Sequence, residues 1–259
     1  MFDAMLHGRV DTEGLQFATV IADVEQLNNK AFKAELDISK VSYHAYLYLR
    51  DQYNLLDSGS ALGKGCGPLL ITTPDIFSSL QFTIYNLQSI AIPGRYTTAN
   101  LLLSLYAPEA VNKKEYLFSE IEDAILKGEV DAGLIIHENR FTYEQKGLVK
   151  IIDLGEYWES TTGLPIPLGG IVVRKSFSDA KQQKINRVLK RSIEYALANP
   201  AASRAFVKQH AQSMEDDVIQ QHIDLYVNHY SISLGEEGRK AVDILFEKSR
   251  LRERNALSR

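Results

Sequence analysis

Apolar positions along this chain follow two patterns: short unbroken runs that suit buried strands, and a three-to-four-residue spacing that suits helices with one inner face. The runs at 36–42, 68–73, 89–92, 130–136 and 148–152 predict strands, and helical spacing follows most of them. Leu15-Gln-Phe-Ala-Thr-Val20 alternates, which predicts a strand with one exposed face. Asp23, with Gln26 three residues on, predicts the cap of a helix whose inner face is Val24, Leu27 and Ala31. Helices are also expected over 43–53 and 99–106, and after the capping box Ser119-Glu-Ile-Glu122, where Gly128 closes the helix. Pro and Gly in Leu164-Pro-Ile-Pro-Leu-Gly-Gly170 predict a rigid turn into Ile171-Val-Val, and 58–68 reads as a flexible glycine loop. From Ser178 onward only helical spacing remains. Ile185, Val188, Leu189 and Ile193 mark one helix ending near Asn199-Pro200, and at least three more follow to Leu251 as scaffold.

Two blocks of alternating strands and helices followed by a helical tail predict two α/β lobes with the chain passing twice between them. The expected division is 1–83 with 172–259 for the first lobe and 84–171 for the second, with a ligand cleft between. The chain opens on a short helix, 2–7, closed by Gly8. Every later unit opens on a strand, so a strand is expected to be missing from the front.

Composition narrows the function classes. With 45% hydrophobic and 24% charged residues the chain is globular, and a net charge of −4 without a basic stripe argues against a nucleic-acid partner. No apolar run approaches the ~20 residues that cross a bilayer, and residues 1–7 lack the charged and apolar regions of an export signal, so a cytoplasmic location is expected. Cys66 is the one cysteine, which excludes an internal disulfide and a thiolate zinc cluster; six scattered histidines without a His-Glu-x-x-His pair give no support for a metal.

The chemistry concentrates at strand ends. Val130-Asp-Ala-Gly-Leu-Ile-Ile-His137 is a buried strand that delivers an imidazole to its carboxyl end, where ligands collect in open α/β sheets. His137 either hydrogen-bonds a neighbouring loop or acts as a base. Ser42 stands at the same place on the 36–42 strand, either capping the next helix or touching ligand. Thr97 and Thr98 open a helix after Pro93-Gly94, and they serve as an ordinary cap or as a carboxylate site at the positive helix end. Arg95 and Arg140 are further carboxylate partners or structural pairs. The glycines at 58–68 fit neither the P-loop nor the dinucleotide spacing, and Cys66 has no adjacent His or Lys to activate it.

Ile92-Pro-Gly-Arg-Tyr-Thr-Thr-Ala99, Gly133-Leu-Ile-Ile-His-Glu-Asn-Arg-Phe-Thr-Tyr143 and Gly163-Leu-Pro-Ile-Pro-Leu-Gly-Gly170 closely resemble the 1,4-dihydroxy-6-naphthoate synthases of the futalosine route to menaquinone. Lys40-Val-Ser-Tyr43 and Ala61-Leu-Gly-Lys-Gly-Cys-Gly-Pro68 match as well, so the likeness runs from about Phe2 to the final helices. The resemblance implies a two-lobed, type II periplasmic-binding-protein-like fold used as a cytoplasmic lyase. Its substrate is cyclic dehypoxanthine futalosine, a small-molecule carboxylate, split without a cofactor into a dihydroxynaphthoate and a sugar-derived fragment. It also implies that His137 is the general base and that Lys40, Ser42, Thr97 and Thr98 bind substrate. One departure stands out: family members begin with a strand and a Ser-Pro-Cys-Pro-Asn-Asp-Thr-like segment that is absent here. The readings set against this one are a solute-binding protein that performs no chemistry and the related chorismate dehydratase.

Overall fold

Local sequence signals make the strands, but pairing between distant segments decides which sheet each one joins. The computed structural model describes residues 1–79, 82–210 and 215–257. The strands are β1 (Ile38–Ser42), β2 (Tyr53–Leu55), β3 (Ala61–Gly63), β4 (Leu69–Thr72), β5 (Ile90–Ile92), β6 (Lys113–Glu115), β7 (Ala132–Ile135), β8 (Val149–Asp153) and β9 (Ile166–Arg174). The chain forms two compact units, Met1–Gly63 with Pro167–Lys240, and Lys64–Ile166 with Ala241–Arg259. No helix among the described residues is long and apolar enough to cross a membrane.

In the first unit β9 is the central strand, pairing antiparallel with β1 from Ile38↔Val173 to Ser42↔Gly169, and with β2 from Tyr53↔Arg174 to Leu55↔Val172. The segment 164–170, expected as a turn, is therefore largely strand. Its glycines answer crowding and not reversal. A Cβ on Gly169 would lie 2.6 Å from the Val41 carbonyl oxygen, and one on Gly170 2.6 Å from Leu55 Cδ1. Ile171 and Val173 then pack with Leu56 and with Ile185, Leu189 and Ile193 of helix Asp179–Ala198, which is the inner face its spacing predicted.

Two other expectations in this unit change. Residues 15–18 alternate in burial, but 15–20 form no strand: without a neighbouring backbone to bond, alternation alone makes no ladder, and Val20 remains 49% exposed. Residues 58–63 of the supposed flexible loop are buried and tied down. β3 pairs with β9, Ser58 Oγ donates to the Ile232 carbonyl, the Ser60 and Tyr43 hydroxyls lie 2.8 Å apart, and Asn228 Nδ2 donates to the Leu62 carbonyl.

The second unit is built on a five-stranded mixed sheet, β6-β5-β7-β4-β8. β5 runs parallel to β6 and β7, and β4 antiparallel to β7 and β8. Because β4 lies inside this sheet, residues 64–79 belong here and not with the first unit, where the expected boundary after 83 placed them. The last helix, Gly235–Leu257, likewise changes unit at Ala241, and Leu245, Phe246 and Ser249 are buried beyond that point, so the tail is not all scaffold for the first sheet. Helix Ile121–Leu126 packs Ile121, Ala124 and Ile125 on the sheet, as its spacing predicted. Its start differs, since a 3-10 turn at Phe118–Glu120 precedes it and Ser119 does not cap it.

Two backbones meet closely where β4 begins and helix Leu154–Thr162 starts. A Cβ on Gly67 would lie 2.2 Å from the Gly155 nitrogen, a collision with main chain that no side-chain rotation relieves. Gly67→Ala is therefore expected to lower stability by at least about 1–3 kcal/mol, read as a lower urea midpoint; an unchanged midpoint would mean that the two strands of backbone can separate freely.

Candidate active site

The second unit gathers its reactive side chains at one edge of its sheet. β5 and β7 are adjacent and parallel, with Ile90 opposite Ala132 and Ala91 opposite Gly133, so their carboxyl ends leave the sheet together. β5 leads to Thr97 and Thr98, and β7 leads to His137. β4 and β8 add their near ends to the same edge, since Leu69 pairs with both Ile135 and Asp153.

His137 is one of the few non-glycine residues with positive φ, at 58°. That left-handed conformation costs an L-residue roughly 1–2 kcal/mol, and such strain gathers at functional sites. Its ring meets Phe118 edge-on, with centroids 5.1 Å apart. Glu138 follows, with a carboxylate oxygen within 4.8 Å of a ring nitrogen of His137. Burial, reinforced by the carboxylate of Glu122, pushes the Glu138 carboxyl above the usual range. Glu122 is itself buried; its Oε2 accepts from Asn139 Nδ2 and Lys146 Nζ, each at 2.7 Å.

Thr97 proves to be a helix cap. Its hydroxyl accepts from the Asn100 amide at 3.3 Å and donates to the Gly94 carbonyl at 2.8 Å, fixing the start of helix Thr98–Tyr106. Thr98, buried, occupies the first turn of that helix, where the dipole favours an anion. Arg140 takes its structural reading: Nη2 donates to Asp153 Oδ2 at 2.6 Å and Nη1 to the Gly67 carbonyl at 2.7 Å. Arg95 is exposed, its guanidinium 5.7 Å from the Tyr96 ring centre. Cys66 is buried, and burial first, then Glu159, pushes its thiol up to about 12, so it is no nucleophile.

In the first unit Lys40 and Ser42 lie two apart on β1 and so share a face of the strand. Ser42 stands at the N-cap of helix Tyr43–Leu49 but makes no side-chain cap bond. Instead its Oγ accepts from Asn28 Nδ2 at 3.2 Å while its amide donates to Asn28 Oδ1 at 2.9 Å. Asn28 also donates to Glu25 Oε2 at 2.9 Å. Asp23 caps helix Val24–Phe32 as expected, accepting from the Glu25 and Gln26 amides, but the helix buries Glu25, Asn28 and Ala31 and leaves Val24 and Leu27 half-buried. The missed signal was this polar i, i+3 pair, hidden by the assumption that the inner face is apolar.

Lys40 forms no hydrogen bond or ion pair among the described residues, and burial pushes its pKa down. His222, on helix Asp216–Tyr226, is pushed down to about 4, first by burial and then by the charge of Lys40. Sequence spacing gave no reason to single it out from the helical tail. Of the residues expected to bind or react, Thr97, Thr98 and His137 thus share a sheet edge in one unit, and Lys40 and Ser42 share a strand face in the other.

The chain matches the family model described as menaquinone biosynthesis over residues 1–250. It is 43% identical over 252 residues to a 1,4-dihydroxy-6-naphthoate synthase of Thermus thermophilus, covering 97% of this chain and 90% of that protein. A crystal structure of a protein from Archaeoglobus fulgidus superposes with a TM-score of 0.90 at 36% identity, covering 97% of this chain and 92% of that one. The periplasmic aliphatic sulphonate-binding protein of Escherichia coli superposes with a TM-score of 0.60 at 12% identity, over 92% of this chain and 76% of that one. That last likeness concerns the fold alone, which is periplasmic-binding-protein-like α/β.

The depressed His222 has a consequence for stability. Between its folded pKa of about 4 and its unfolded value near 6.5, the unfolded chain binds the extra proton, so stability falls as pH falls through that window. Acidifying from pH 7 to 5 is expected to remove about 2 kcal/mol through His222, beside the loss through the Met1 amino group, which burial lowers to about 6, and His222→Gln should remove the first of these. Urea midpoints at pH 7, 6 and 5 check it, since that range lies above the ordinary titration of carboxylates.

Proposed function

The chain belongs to the menaquinone-biosynthesis family, and from that membership we propose that it is an enzyme forming 1,4-dihydroxy-6-naphthoate, a lyase that splits cyclic dehypoxanthine futalosine and releases a sugar-derived fragment. The observation that carries the chemical part is His137, an imidazole held in a strained backbone conformation at the carboxyl end of a buried strand.

Opening a carbocycle so that an aromatic product remains requires loss of a proton. A neutral imidazole accepts one near pH 7, and a positioned base contributes about 10²–10⁴ in rate. Glu138, its carboxyl raised by burial and by Glu122, suits exchange of that proton with His137. The substrate is a small-molecule carboxylate. In the second unit Thr98, at the positive end of its helix, suits that charge; in the first unit the Lys40 ammonium, which has no acidic partner among the described residues, suits an anion, and Ser42, oriented by Asn28, supplies a hydroxyl. Thr97 contributes by holding the first turn of the helix in place.

Incubation with cyclic dehypoxanthine futalosine should yield 1,4-dihydroxy-6-naphthoate, whereas chorismate should be left unchanged. Tight binding of the first compound without turnover would sink the enzyme reading in favour of a solute-binding protein. His137→Ala should lower kcat by about 10²–10⁴ with little change in KM. Thr98→Ala, which removes one neutral hydrogen bond, should act chiefly on KM, by about tenfold. Near-normal kcat in a folded His137→Ala protein would return the histidine to a loop-fixing role.

A further inference from the structure

Within the second unit, away from the sheet edge that carries His137, helix Gly235–Leu257 turns Lys248, Leu251, Arg252 and Asn255 toward one side, at i, i+3, i+4 and i+7. Facing them are Ser104, Leu105 and Pro108, where helix Thr98–Tyr106 ends, and Tyr157 of helix Leu154–Thr162. Together they line a half-open pocket of about 460 Å³, within the span of ~300–1,000 Å³ usual for small-molecule sites.

The cavity wall holds two cations and no acid. Arg252 donates its Nε to the Ser104 carbonyl at 3.1 Å, a contact that satisfies the carboxyl end of that helix. Its two terminal nitrogens, and Nζ of Lys248, make no hydrogen bond or ion pair among the described residues. Behind Ser104 lies a third cation. Lys113 donates Nζ to Ser104 Oγ at 2.6 Å and to Asn100 Oδ1 at 3.0 Å, again with no carboxylate. Burial first, then the charge of Arg252, pushes its pKa down to about 8, as expected of like charges gathered without a counter-ion. The rest of the wall is apolar or aromatic. Leu251 remains 49% exposed, and the Tyr157 ring is propped edge-on by Tyr106 at 5.1 Å, its hydroxyl directed to the Leu105 carbonyl at 3.4 Å.

We propose that this cavity is a second ligand site, taking a small aromatic carboxylate whose charge meets Arg252 and Lys248 and whose ring lies against Tyr157, Leu105 and Leu251. A guanidinium with both terminal N–H pairs available matches a carboxylate in two-pronged geometry, and the aromatic and aliphatic wall suits a flat apolar body and not a hydrated inorganic ion. 1,4-Dihydroxy-6-naphthoate belongs to that chemical class, although the site stands on its own residues and does not depend on the catalytic reading.

2-Naphthoate is the probe, titrated calorimetrically into the whole protein beside its neutral amide and inorganic phosphate. Measurements are repeated in Lys248→Gln/Arg252→Gln, in Leu251→Glu, and in Thr98→Ala to separate this site from the sheet edge. The expected result is binding of 2-naphthoate to wild type and Thr98→Ala alike, with affinity reduced at least about tenfold in both cavity variants and for the amide. Leu251→Glu guards against misreading the double variant, because it leaves the Arg252–Ser104 contact intact and sits at an exposed position. Binding that survives both cavity variants, or that vanishes in Thr98→Ala, overturns the proposal. Phosphate binding as tightly as 2-naphthoate overturns its aromatic part.

Discussion

One carboxylate holds the reactive edge of the second unit together. Asp153, its side chain fully buried, accepts from the Gly155 amide at 2.7 Å and the Glu156 amide at 3.2 Å through Oδ1, and from Arg140 at 2.6 Å through Oδ2. A single group thereby ends β8, caps helix Leu154–Thr162 and anchors the short helix that follows His137. Arg140 carries the tie onward to the Gly67 carbonyl at the start of β4, where Gly67 and Gly155 meet backbone to backbone. Removing one partner of such a pair strands a buried charge, at about 3–5 kcal/mol. The left-handed turn at His137 is thus braced from the residue three positions beyond it, which is how a strained conformation persists.

That bracing also explains which residues the sequence disclosed. The positions of His137, Thr97 and Asp23 are legible because they follow from what is adjacent in the chain: a buried run that ends, or a helix that starts. β1, β4, β5, β7 and β8 are legible for the same reason, being apolar runs bounded by turn residues. β9 is not, because its Pro and Gly describe a turn until Val41 and Leu55 are known to press on it. Nor is the sheet that β4 joins, since an apolar run carries no record of its partner. The buried Glu25 and Asn28 and the partly buried His222 were missed because tertiary contact, and not helical spacing, makes their faces inner ones.

Charge compensation sorts the cations of the fold into those with a carboxylate partner and those without one. Arg140 has Asp153, Lys146 has Glu122, and Arg187 and Arg191 share Glu13, so each is accounted for by a carboxylate of the fold itself. Such pairs are anchors. Lys40, Lys113, Lys248 and Arg252 form no ion pair among the described residues, and for Lys40 and Lys113 burial already works against the charged form. A cation kept half-buried without a partner is unfavourable in the empty protein and becomes favourable once an anion arrives, so the desolvation cost is met before binding and adds to selectivity for negative charge.

The same reasoning separates the two threonines that the sequence could not tell apart. Thr97 accepts from one backbone amide and donates to one backbone carbonyl, both within its own turn, and those bonds define the helix start whatever is bound. A hydroxyl so engaged would have to break a capping bond, worth about 1 kcal/mol, to turn toward a ligand. Thr98 is one residue further, inside the helix, where a hydroxyl is not needed to satisfy the first amides. Thr98 is buried in the first turn, at the positive end of the dipole, which is the position proposed above to meet the substrate's charge, while Thr97 builds the start of the helix.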